Sequence, residues 1–162
     1  MSYHLAQVNL AYAREPIDAP LMADFVARIA EINALAEASP GFVWRYQTDA
    51  GYPQEFGDQL VLFNMSVWDS VEALHAYTYR SAHAEVFAAR KRWFEDIKAK
   101  LGLPHMALWW VKAGELPTVA EAKARLEYLG EHGPSPQAFS FKQRYSPTGE
   151  ALAYAKPAPA TA

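Results

Sequence analysis

The chain has 162 residues, 51% of them apolar and 14% aromatic, which is enough for a packed core and excludes a disordered segment. Eighteen acidic against fifteen basic residues leave a net charge of −3, too weak a field to recruit nucleic acid or an anionic membrane. Zero cysteines exclude disulfides, thiolate metal sites and a cysteine nucleophile, and fit a reducing cytoplasm.

The opening residues show no basic region followed by an apolar run, so no secretory leader is expected. No apolar run approaches the ~20 residues of a membrane span. A cytoplasmic protein follows. Residues 3–11 alternate: Ala6, Val8 and Leu10 point one way, Leu5, Gln7 and Asn9 the other. That pattern predicts a strand with one greasy and one mixed face. After a proline-punctuated loop, Pro20 suits a first helical turn. The helix runs to about Ala38 with Leu21, Phe25, Ile29, Ile32 and Leu35 on one stripe, and Ser39-Pro40-Gly41 stops it.

Phe42 to Gln47 reads as a second, aromatic-rich strand, and residues 59–68 as a third. In the third, Val61, Phe63, Met65 and Val67 share one face; Leu60, Leu62, Asn64, Ser66 and Trp68 share the other. Asp69 and Glu72 fit a capping box for the next helix. Ser81 caps a further helical segment expected to reach Leu101, where Gly102 and Pro104 end it. Residues 106–111 form an apolar fourth strand. Thr118 and Glu121 make a capping box for a helix that stops near His132-Gly133-Pro134. Phe139 to Tyr145 reads as a short added strand, and residues 146–162 as a flexible tail.

The order β-α-β-β-α-β with a C-terminal helical extension is that of an α+β, ferredoxin-like domain over residues 1–145. Its first and third strands are expected to be central, with the helices on one face of an antiparallel sheet. The other face needs a cover, and a second copy of the chain is the simplest one.

Strand parity brings Gln7, Asn9, Asn64 and Ser66 together, ringed by Leu5, Leu62 and Trp68. A few polar groups in apolar surroundings are the usual design of a small-molecule pocket; a buried polar network or a solvated face gives the same pattern. By this parity Val8, Leu10, Val61 and Phe63 face the helices. His83 falls in register with Phe87, Arg90, Phe94, Ile97 and Leu101 on the expected long helix, hence on its buried stripe. A histidine there suits a general base, a haem ligand or a hydrogen-bonded core residue. His75, with Tyr79 one turn on, is a second candidate. Arg90, beside Lys91 and Arg92, can meet an anion or simply face water. His4, His105 and His132 read as structural. No zinc, nucleotide or serine-hydrolase motif occurs, so no metal is expected beyond a haem iron.

Four stretches carry a family resemblance: HLAQVNLA, PLMADFVARIAEINALAEASPGFVWR, SVWDSVEALHAYTYRSAHAEVFAARKRWFE and LWWVKAGELPTVAEAKARLEYLGEHGPSPQAFSF. Over residues 4 to about 142 the chain resembles the bacterial family called domain of unknown function 3291. That family is similar to the dimeric α/β-barrel superfamily, in which two ferredoxin-like subunits pack sheet to sheet. The region around Trp68, Leu74, His83 and Trp93-Phe94 is also faintly similar to spheroidene monooxygenase, a haem enzyme. The resemblance implies a homodimer with a pocket for a hydrophobic or aromatic molecule in each subunit. It also implies either monooxygenase-type oxidoreductase chemistry or ligand binding without chemistry. In the enzyme reading His83 is base or axial ligand, Gln7, Asn9 and Asn64 orient a substrate oxygen, and the cofactor is none or haem.

Overall fold

A computed structural model describes residues 2–48, 53–80 and 83–153, with Arg80 and His83 described by their backbone alone. β1 (Tyr3–Ala13) is the axis of the molecule. It pairs with β3 (Val61–Trp68) along one edge and with β5 (Met106–Lys112) along the other, and β2 (Phe42–Arg45) adds outside β3. Every pairing is antiparallel, so the order β2-β3-β1-β5 is the ferredoxin-like one expected from the sequence. Gln7 sits opposite Ser66 on one side and Leu108 on the other.

The two faces of this sheet are covered by different helices. Ala6, Val8, Leu10, Val61, Met65, Val67 and Trp109 pack against Ala122, Leu126 and Leu129 of α5 (Val119–His132) and Ile97 of α4 (Ile97–Leu101). α5 starts where predicted, because the Thr118 hydroxyl accepts the Glu121 N–H. The opposite face, with Leu5, Trp68 and Leu108, packs against Ala36 of α1 (Ala23–Ala38), Leu74 of α2 (Val71–Arg80), Phe139 and Phe141.

This arrangement overturns two expectations. Helices cover both faces rather than one, so the chain itself supplies the cover assigned to a second copy. Val8, Leu10, Val61 and Phe63 do face helices, but those helices are α4 and α5. Gln7, Asn9, Asn64 and Ser66 lie on the α1–α2 side instead of facing away from it. The cause is competition for the purely apolar face. α5 brings leucines to it, while α1 has only Ala36 fully buried and leaves Ile29 and Ile32 half-exposed over the mixed face.

The segment after α2 also differs from its periodicity. The helix expected to reach Leu101 is α3 (His83–Ala88) followed by a 3-10 turn at Arg90–Arg92. β4 (Phe94–Glu95) then pairs with Tyr12 and Ala13 of β1, and Asp96 caps α4 afresh by accepting the Lys98 N–H. Burial of Trp93 beside Ala13 and Met22, with Phe94 edge-on to Phe25, outweighs helical continuity. α2 is capped by Ser70, which accepts the Ala73 N–H, rather than by Asp69. Phe139 bridges to Leu108 at the sheet edge, as an added strand would. Part of the expected tail is ordered: β6 (Arg144–Tyr145) pairs with β7 (Ala151–Leu152). Among the described residues no helix is long and apolar enough to cross a membrane.

Candidate functional site

On the α1–α2 side, the sheet carries apolar blocks at both ends and polar side chains between them. At one end the Trp68 ring stacks on Tyr77 of α2, centroids 5.1 Å apart. At the other, Leu62 and Phe25 pack with the buried Met22 and Trp93. α1 runs from the second block to the first, because Phe25 lies in one and Ala36 in the other. Between the blocks β1 and β3 present Gln7, Asn9, Asn64 and Ser66, whose cross-strand pairing (Gln7 with Ser66, Asn9 with Asn64) puts all four on one face.

These side chains form a connected chain of hydrogen bonds. Gln7 Nε2 donates to Asn64 Oδ1 and to Ser66 Oγ, both at 2.8 Å. Asn9 Nδ2 donates to Gln7 Oε1 at 3.1 Å and to Asn64 Oδ1 at 3.3 Å. The indole N–H of Trp68, itself buried, donates to Ser66 Oγ at 2.8 Å. Gln7 and Ser66 are only 3% and 6% exposed, whereas Asn64 is exposed. The network is therefore rooted in the core and ends at the surface. Its buried members must stay paired, since unpairing either would leave a desolvated polar group.

Arg45 sits opposite Ser66 in register, on β2. It closes one end of an open groove of about 460 Å³ lined by Val26, Ile29, Ala30, Asn33 and Glu37 of α1. Arg45 Nε lies 2.7 Å from Glu37 Oε1. The groove thus lies between α1 and Arg45, and none of the quartet is among its lining residues. Tyr77 holds α1 down from the other side, its hydroxyl donating to the Ile32 carbonyl at 3.2 Å. Burial pushes the Tyr77 phenol up to about 12, against the opposing charge of Arg45, so it stays a neutral donor.

The remaining sequence candidates separate from this cluster. His83 is the first residue of α3; its imidazole lies outside the described side chains. The stripe that placed it in line with Phe94 and Leu101 does not exist, because the helix ends at Ala88. Arg90 is exposed and satisfied locally: it donates to the Phe87 carbonyl at 2.9 Å, with its guanidinium 4.2 Å over the Phe87 ring. His75 is buried between Tyr79 and Phe141, ring centroids 4.5 and 4.9 Å away. His132 stacks on Tyr128 at the end of α5. Among the described residues no three His, Asp or Glu side chains converge to hold a metal ion. Arg45 and Tyr77 were not among the sequence candidates. An arginine inside the aromatic run Phe42-Val43-Trp44-Arg45-Tyr46 was the available signal for the first; nothing local marked the second.

A solved structure described as the crystal structure of PA3566 from Pseudomonas aeruginosa is 17% identical, over 72% of this chain and 98% of that one, with a TM-score of 0.41. Among curated proteins none matches the chain. The model of the family described as Domain of unknown function (DUF3291) matches residues 4–155, from the first strand through the β6–β7 hairpin. With nearly its whole length covered by that match, the chain belongs to the DUF3291 family.

Proposed function

We propose that the protein binds a small hydrophobic molecule bearing a polar oxygen, with that oxygen oriented at Asn64. The observation that carries this reading is the connected quartet itself. Four polar side chains occupy central strand positions, and burying two of them, Gln7 and Ser66, is costly unless their bonds are made. A core-rooted network with an exposed amide at its head is a way to orient a ligand oxygen.

Amides and a hydroxyl orient a ligand but exchange no protons near neutral pH. Monooxygenase-type oxidation of a hydrophobic or aromatic substrate, which the resemblance implies, would need a further group. His83 is the residue proposed for it, as base or haem ligand, while the binding reading rests on Asn64 and its partners. Absorption spectroscopy and mass spectrometry of the purified protein test both readings. A co-purifying hydrophobic molecule present in wild type and lost from a still-folded Asn64→Ala, whose melting temperature falls because Gln7 and Asn9 lose an acceptor, is the expected result. Equal occupancy in the variant removes this site. A Soret band lost on His83→Ala would favour the haem-linked enzyme; its absence, together with no turnover of a quinol by oxygen, leaves a binding or sensing module.

A further inference from the structure

Each bond of the quartet has a direction. Trp68 and Gln7 donate to Ser66; Gln7 and Asn9 donate to Asn64; Asn9 donates to Gln7. Ser66 Oγ therefore accepts twice, and its own proton has no partner among the described residues. Asn64 Nδ2 likewise makes no bond inside the cluster and faces outward with the exposed residue. A half-turn of all three carboxamides exchanges nitrogen for oxygen and leaves the heavy-atom positions unchanged. The reversed set is complete as well. Ser66 then donates to Gln7 Oε1, Asn64 Nδ2 donates to Gln7 and Asn9, and Gln7 Nε2 donates to Asn9. Trp68, a donor only, keeps its bond to Ser66 Oγ in both patterns.

The turn must be concerted. Asn64 rotating alone would set its nitrogen against the nitrogens of Gln7 and Asn9, at the 2.8 and 3.3 Å separations that now hold hydrogen bonds. Gln7 is too buried to turn to water instead. The balance between the two patterns is close. The reversed one matches bond for bond and gives the Ser66 proton an acceptor.

We infer that the quartet is a reversible hydrogen-bond relay whose exposed end, Asn64, presents either an N–H donor or a C=O acceptor. As donor, Asn64 meets a ligand's carbonyl oxygen; as acceptor, it takes the proton of a hydroxyl. The ligand class rests on the reading of Asn64 as a binding residue; the relay itself does not.

Two measurements separate these layers. Nuclear Overhauser contacts from the Asn64 amide protons to the Gln7 side chain report the reversed pattern in the free protein, and their loss reports the first. Contacts that appear and disappear with conditions or added probe support the relay. One fixed orientation throughout overturns it. Titration with acetophenone and 1-phenylethanol, which differ only in carbonyl against hydroxyl, tests the ligand class. Wild type should bind both within about threefold, and Asn64→Asp, which can only accept, should keep the alcohol and bind the ketone at least about tenfold more weakly. A wild-type preference beyond about tenfold, or equal weakening of both by Asn64→Asp, overturns the inference. If neither probe binds while both amide orientations are seen, the binding reading fails and the relay stands.

Discussion

Gly41 joins α1 to β2 with φ at +85°, and a Cβ there would collide with the Asp69 carboxylate and the Ala73 methyl. Two independent constraints therefore meet at one residue: a left-handed backbone and a close approach of this turn to the start of α2. Gly41→Ala should lower unfolding free energy by about 2–3 kcal/mol in urea melts, well above a neutral surface change. Tyr12 and Asp58 make a different kind of contact. The Tyr12 hydroxyl donates to Asp58 Oδ2 at 2.6 Å and the Leu60 N–H to Oδ1 at 2.9 Å. The Tyr12 bond and then the backbone N–H hold the Asp58 carboxyl below its ordinary range, and the same bond raises the Tyr12 phenol. A depressed carboxyl stabilises the fold above its unfolded pKa and loses that contribution as pH falls through the folded one. Tyr12→Phe should therefore lower the melting temperature at neutral pH by a small amount, and the difference from wild type should close in acid. A gap that stays constant with pH would mean that the hydroxyl acts through packing rather than through the carboxylate.

At the level of elements, strands were the most legible part of the chain. Two-residue alternation in Ala6, Val8 and Leu10 and in Val61, Met65 and Val67 marked faces that the structure keeps intact, and it brought Gln7, Asn9, Asn64 and Ser66 onto one of them. Which layer each face would meet was not legible. That depends on a contest between α1 and α5 for the apolar side, and a contest between distant segments leaves no local trace. The helix predicted through Leu101 failed for a related reason. Phe94 satisfies a helical stripe and a strand pair equally well in sequence, and only its neighbours Phe25 and Ala13 decide. The outcome of the α5 contest is measurable. Leu126 is fully buried against the sheet, so Leu126→Ala should cost about 2–5 kcal/mol by chemical denaturation. A cost near zero would mean that α5 rests on the sheet without contributing to its core.

At the scale of the whole molecule, α5 removes the bare sheet face as a reason for two copies to associate. The apolar side chains still open to water include Ile17, Leu21, Val26 and Val43, which lie around α1 and the strand after it. We propose that the homodimer implied by the resemblance is held through the exposed Ile17 and Leu21, outside the groove that Val26 lines. Light scattering at low micromolar concentration should give twice the chain mass for wild type and the single-chain mass for Leu21→Glu. A wild-type monomer would overturn the dimer.

β1 precedes both of its long partners, which lie far down the chain at Val61–Trp68 and Met106–Lys112. During synthesis it leaves the ribosome with apolar residues on both sides and two unpaired edges. The sheet cannot close until the segment through Lys112 has emerged, and α5 covers the apolar face only after that. Closure of the sheet therefore waits on contacts of long sequence separation, which form more slowly than the local contacts of its helices.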